Sequence, residues 1–368
     1  MALRPDCQAL PTSANAKCRT ARRCGPAPWP PGQASTPCHH RSAARSPDVV
    51  ARQGAAIERS THLLRLAAGA AATRLVGNDT LRLLEDAADQ AHALDDAAAA
   101  QDLGWMVIYM GQAPGIVAVL PDQEQVDRWL DAARIATSGS VVAEATVAAA
   151  DVARLPDTDP AVLELTTRAI DLACSAAAPL VQSAALDRLS SYHLAHADIA
   201  EALDAVRRRC DVLATVPLDA SSGFQFNDYL LMASEIDLAA GNLALAAHHT
   251  DTLAELTCYR EQGYPAIARR IKVDAIAGDL ERAVTGGERF LIAWERAGRP
   301  RASTLNTATY AMTMVHGLLD DERRRRQCVD GSMASTGQRT FRSLSTTSRS
   351  AATTPTPSRT PTPPIAAR

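Results

Sequence analysis

The sequence predicts an all-α chain built as a stacked array of helix pairs, and three observations carry that expectation. The heptapeptide A-G-[ND]-L-x-x-A occurs twice, as Ala240-Gly241-Asn242-Leu243 with Ala246 and as Ala277-Gly278-Asp279-Leu280 with Ala283, 37 residues apart. Of 368 residues 46% are hydrophobic but only 4% aromatic, so alanine and leucine must build the core, and both favour helices. The alternating β-branched and aromatic runs that strands need are nearly absent. No unit of such a repeat buries its apolar face alone; its neighbours in the stack do so.

Helix-breaking clusters fall at Gly77-Asn78-Asp79, from Ala113-Pro114-Gly115 to Pro121, at Pro156-Asp157-Thr158-Asp159, Ala197-Asp198, Gly241-Asn242, Gly278-Asp279 and His316-Gly317. They recur every 37 to 44 residues, and each interval holds two helices. Glycine permits the left-handed turn that closes one helix, and Asn, Asp or Thr then caps the next. Asp159-Pro160 adds proline at a first helical position. The longest interval contains an extra loop, Val216 to Gly223. The helix opened by Asp279 places Leu280, Ala283, Val284, Gly287, Phe290, Leu291 and Trp294 on one buried face.

The resulting α-solenoid has about six antiparallel helix pairs over residues 49–322. Residues 1–48, rich in Pro, Arg and Cys, and residues 323–368, rich in Arg, Ser, Thr and Pro, are expected to be disordered. The helical pattern gives way at Arg323-Arg324-Arg325-Arg326, so the array is expected to end without the polar cap that solenoids carry. The abrupt change at both boundaries also suits read-through or mis-framed extensions of a longer coding region.

A net charge of −3 conceals segregation: residues 1–48 carry +5 and residues 323–368 carry +8, leaving −16 for the middle. An acidic body disfavours phosphate-backbone contact, and only the basic ends could supply it. Four of eight cysteines lie within the first 38 residues, and Cys174, Cys210 and Cys258 read as small buried hydrophobes in a reducing, cytoplasmic compartment. Leu103 to Leu120 is apolar but interrupted by Gln112 and Pro114, and suits a buried helix ending near Gly111 better than a membrane span. No stretch has the form of a secretory signal.

Catalytic signatures are missing. The only lysines are Lys17 and Lys272, and neither follows a glycine-rich loop, so no P-loop exists; H-E-x-x-H, G-x-S-x-G and G-x-G-x-x-G are also absent. Cys7, Cys18, Cys24, Cys38, His39 and His40 lack the close-pair spacing of zinc ligands. His193 with His196 reads as part of a helix end, and His248-His249 as histidines on different faces, rather than as metal ligands. The run Arg207-Arg208-Arg209 reads as a solvated helix face, with an anion or partner contact as the alternative. The expectation is therefore no catalytic, cofactor or metal site. Phe224, Phe226, Tyr229, Tyr259 and Tyr264 either fill repeat seams or, with Arg207, line a concave face that binds a peptide or effector.

From about Val181 to Asp321 the chain resembles the tetratricopeptide-like region of the large ATP-dependent LuxR-type transcriptional regulators common in high-GC actinobacteria, which are relatives of the maltose regulator. The resemblance rests on Ala184-Ala185-Leu186-Asp187, Asp198-Ile199-Ala200-Glu201-Ala202, Arg207-Arg208-Arg209, the two A-G-[ND]-L turns, Glu288-Arg289-Phe290, Trp294 to Pro300 and Val315-His316-Gly317-Leu318. It implies a right-handed superhelix acting as a sensor for a protein or small effector. It covers neither the family's ATPase nor its helix-turn-helix, which leaves a non-enzymatic scaffold as the leading expectation. The alternatives are a nucleic-acid-binding regulator acting through the basic tail, or a non-functional fragment of a longer regulator.

Overall fold

The computed structural model describes residues 47–74, 77–93, 95–113, 117, 120–137, 139–256, 263–296 and 303–335. Among them lie fourteen α-helices and no strand. They are α1 (Pro47–Thr73), α2 (Gly77–Ala91), α3 (Asp96–Gln112), α4 (Gln123–Ala136), α5 (Val141–Ala153), α6 (Ala161–Ser175) and α7 (Pro179–Ala195), followed by α8 (Ile199–Leu213), α9 (Gly223–Ala239), α10 (Leu243–Glu255), α11 (Tyr264–Ile276), α12 (Leu280–Arg296), α13 (Ser303–Leu318) and α14 (Glu322–Ser335). The breaks read from the sequence separate α2/α3, α4/α5, α6/α7, α8/α9, α10/α11 and α12/α13, which makes six pairs, with α1 ahead of them and α14 behind.

Two layers result, and the sequence explains which helix joins which. From α3 to α13 the odd-numbered helices pack on one another, whereas the even-numbered ones pack mainly on their odd neighbours. Thus α3 buries Ala99, Ala100, Asp102, Gly104 and Met106 to Met110 around its whole circumference, and α7 buries Val181 and Ser183 through Ser190. By contrast α6 buries a single stripe, Val162, Thr166, Ala169, Ile170 and Ala173. A helix apolar on every side belongs inside, and one with a single stripe belongs on the rim.

Local capping follows the chemistry of the breaks. Asp95, Asp122 and Ser140 accept from the backbone N–H of Ala97, Gln125 and Ala143, which satisfies N–H groups that a helix start leaves free. Asp279 does the same for Arg282 N at 3.2 Å. Asp198 and Asn242 do not cap the helices they precede. Asn242 instead donates its amide to Asp237 Oδ1 of the preceding helix, at 3.1 Å.

The C-terminal boundary requires a correction. The arginine run expected to begin a disordered tail forms the first turn of α14: Asp321 caps it through Arg324 N at 3.0 Å, and Glu322 pairs with Arg325 and Arg326. Pairs at this i, i+3 and i, i+4 spacing, with an acidic group at the helix start, offset the cost of such a polar helix. Lying against α13 with exposed Arg323, Arg324 and Arg326, α14 is the polar end cap that the sequence seemed to lack. Residues 1–46 and 336–368, with the expectations made for them, fall outside the described residues.

Two smaller expectations also fail. Leu291 is 54% exposed, because α13 packs far more extensively on α11 than on α12 and leaves that edge of the stripe uncovered. Cys174 is exposed on the rim helix α6 and Cys210 is only half-buried; Cys258 lies outside the described residues. The segment from Leu103 ends its helix at Gln112 with Met106 to Met110 buried, and no helix among the described residues is long and apolar enough to cross a membrane.

Candidate functional site

The inner layer does not stay open. Although α1 is eight helices away in sequence from α9, the two are in contact, and α3 reaches α7. Arg65 of α1 grips Asp102 of α3 through Nε and Nη2, both at 2.7 Å. At the other end of α1, Thr73 offers its carbonyl to Asn227 Nδ2 of α9 at 3.1 Å. Between these contacts Gly69 faces the loop that lengthens the α8 to α9 interval, so closely that a Cβ there would sit 2.2 Å from the Ala220 carbonyl oxygen. The loop holds its shape through Asp219, whose carboxylate accepts from Ser221 N, Ser221 Oγ and Ser222 N. Those bonds, led by the Ser221 hydroxyl, hold the Asp219 carboxyl below its ordinary range. The insertion is thus the seat of α1.

Beside this junction lies a buried polar network. The Arg209 side chain of α8 is 0% exposed. Its Nε donates to Ser183 Oγ at 3.0 Å, Nη1 to Asp187 Oδ1 at 2.6 Å, and Nη2 to Gln225 Oε1 at 3.0 Å and Asp228 Oδ2 at 2.8 Å. From α3, Gln112 Nε2 donates to the same Asp228 oxygen at 3.1 Å and Gln112 Oε1 accepts from Gln225 Nε2 at 2.8 Å. Ser183 Oγ closes the circuit on Gln225 Oε1 at 2.9 Å. One network therefore joins α3, α7, α8 and α9.

Its electrostatics are unbalanced, with one guanidinium between two carboxylates. Burial opposes the charge of Arg209, but Asp187 and Asp228 outweigh it and hold the guanidinium charged. Burial pushes the Asp228 carboxyl up to about 7, and the neighbouring Asp187 adds to the rise against the pull of Arg209. The adjoining wall is apolar: Tyr109 and Phe224 meet edge to face with ring centroids 4.8 Å apart. Burial pushes the Tyr109 phenol up as well.

The structure disperses the residues singled out from the sequence. Phe224 (2% exposed) and Tyr264 (2% exposed) are core, Tyr264 packing against Phe290, so neither lines an open concave face. The reason is the closure of α1 on α9, which fills the concavity at Phe224. Phe226 is half-buried, Tyr229 is half-buried near the His249 ring, and Tyr259 lies outside the described residues. Arg207 is exposed and bonds only within its own helix, to Leu203 O and Asp204. The Arg207-Arg208-Arg209 run splits, with the first two solvated and the third at the centre of the network. Sequence reading passed over Asp187, Gln225 and Asp228; the available signal was a charge set inside an apolar helix, as in Ala184-Ala185-Leu186-Asp187.

The histidines serve the fold. His196 Nδ1 lies 2.8 Å from Tyr192 O at the end of α7, and His249 Nε2 lies 3.2 Å from Asp237 Oδ2. No group of three metal-ligating side chains occurs among the described residues. A recess of about 620 Å³ runs along α6, but Pro160, Leu163, Glu164, Thr167, Arg168, Asp171, Leu172 and Ser175 line it from one helix, so no second wall encloses it. Neither protein-family models nor curated proteins show a match to this chain.

Proposed function

We propose that the chain is a non-enzymatic helical-repeat scaffold that binds a protein or small effector, in the manner of the sensor module of a LuxR-type transcriptional regulator, in the cytoplasm. One observation supports this reading above others. Large exposed apolar side chains crowd into the second half of the array: Leu245, Ile276, Leu291, Ile292, Tyr310, Leu318 and Leu319 among α10 to α13 and the turn after them. Over the longer span from α2 to α9 only Ile135, Val141, Leu163 and Leu218 are comparably exposed among the described residues. Apolar exposure of that kind marks contact surfaces more often than chance. The polar groups around Arg209, by contrast, are spent on one another.

Binding through the basic run is less well supported, since Arg324, Arg325 and Arg326 lie against Asp321 and Glu322. The test is affinity capture on the full chain, followed by titration of what is captured. Saturable binding that survives Ile135→Arg and is lost in Leu291→Arg and Tyr310→Arg supports the reading. Binding indifferent to both C-terminal variants, or no saturable binding at all, counts against it.

A further inference from the structure

Asp187 and Asp228 share one guanidinium inside a closed ring of helices, and the charge count there is the instructive feature. Both accept from Arg209, Asp187 Oδ1 from Nη1 at 2.6 Å and Asp228 Oδ2 from Nη2 at 2.8 Å, so one guanidinium holds the two carboxyls side by side. Side-chain exposure is 0% for Arg209, 4% for Asp187 and 13% for Asp228. Two unprotonated carboxylates would leave an uncompensated buried negative charge, whereas one proton shared between them makes the site neutral and supplies the donor that a carboxylate pair lacks. The other groups facing them carry no compensating charge: Gln112 from α3, Ser183 from α7, and Gln225 from α9, while α1 meets the neighbouring Asn227 through the Thr73 carbonyl. Tyr229, also on α9, acts on Arg209 and not as a cation.

We propose that the Asp187–Asp228 pair is a proton-dependent latch, closed when the two carboxyls hold one proton, that fastens the α3 and α9 ends of the inner ring and so keeps α1 seated. On opening, the proton passes to water at the more exposed carboxyl of the two, Asp228 beside Gln112. The second carboxylate is then charged, and the two repel across Arg209. Closure weakens at the place where Gln112 and Asn227 tie α3 and α1 to α9. Both groups of the pair must act together, so the titration belongs to the dyad and not to either residue alone.

The latch is tested on the full-length chain by following aspartate carboxyl titrations by NMR and, in parallel, hydrogen exchange and urea unfolding at pH 6 and pH 8. The expected results are one carboxyl midpoint near neutrality and about a tenfold fall in the folding equilibrium constant from pH 6 to pH 8. After correction for intrinsic exchange, exchange should rise at the end of α1 and the start of α9 but not in α11 to α13. Asp228→Asn, which keeps a side chain able to accept from Arg209 and to donate to Asp187, should abolish that midpoint and flatten the pH dependence. If Asp228→Asn does not fold, the wild-type titration and regional exchange decide alone. Wild-type carboxyls that all titrate below pH 5, or exchange that rises uniformly along the chain, overturn the latch.

Discussion

Asp237 and Asp274 hold the same place in successive turns. The backbone carbonyl of each accepts from the amide five residues on, Asn242 N at 2.8 Å and Asp279 N at 2.9 Å, around a left-handed glycine, Gly241 or Gly278. His193 and His316 make the same bond to Asp198 N and Asp321 N, both at 2.9 Å, around Ala197 (φ 61°) and Asp320 (φ 55°). Ala173 accepts from Ala178 N in the same way, at 2.9 Å around Ala177 (φ 50°), so the turn visible twice as a sequence motif occurs five times among the described residues, four of them with a buried or half-buried His or Asp four residues before the left-handed position.

Reciprocal substitutions follow from that equivalence. Gly278→Ala places a Cβ in the left-handed region at a cost of about 1 to 2 kcal/mol, offset by about 0.4 to 1 kcal/mol from the stiffer unfolded chain, so it should destabilise by up to about 1 kcal/mol. Ala197→Gly removes the same penalty but frees the unfolded chain by about 0.4 to 1 kcal/mol, so it should stabilise by up to about 1 kcal/mol. Urea unfolding of the two variants should move in opposite directions. Equal and like-signed shifts would show that the two turns are not equivalent.

The same comparison shows what could be read without coordinates. The helix pairs were legible because breaking residues and apolar periodicity are local properties, and six intervals each contain two helices. Ala177, Ala197 and Asp320 left no fingerprint because a residue other than glycine takes the left-handed position there. The contact between α1 and α9 was illegible for a different reason: Gly69 and Ala220 are distant in sequence, and small residues that permit close approach look like any other alanine-rich stretch. The concave face predicted around Phe224 failed on that contact. The cap at α14 was missed because its stability comes from Asp321 and Glu322 and not from an apolar stripe.

Gly69→Val should disturb the closure directly. The new side chain would meet the Ala220 carbonyl, which is backbone in a loop fixed by Asp219 and cannot swing away. A loss of about 1 to 3 kcal/mol in urea is expected from such overpacking. Gly317→Ala is the control: its Cβ would have only ordinary contact with Arg325 Cδ at 3.5 Å, and a helical glycine replaced by alanine should gain up to about 1 kcal/mol. Similar losses in both variants would remove the special role of the α1 seat.

Burial pushes the His316 imidazole below its ordinary 6.5, Asp321 opposing that fall and Arg324 reinforcing it. The unfolded chain then binds the proton more readily, so this contribution to stability is complete above pH 6.5 and is lost as the pH falls below it. An NMR titration of His316 should show a midpoint under 6.5, and His316→Gln should lose less stability than the wild type on acidification. A midpoint at or above 6.5 would contradict the sign.

Arg209→Met separates the guanidinium from everything else in the network. Methionine fills much of the same volume but donates nothing, leaving the Asp187 and Asp228 oxygens buried without their cation. Removing one partner of a buried ion pair costs about 3 to 5 kcal/mol because the survivor stays charged and unsolvated. Here two carboxylates survive, so protonating them is the relief available to the folded state. The loss measured by urea unfolding should be largest above pH 7 and should shrink as the pH falls toward 5, whereas a simple packing defect costs the same at every pH. A penalty independent of pH would mean that Arg209 matters for its volume and not for the charge it places between the two aspartates.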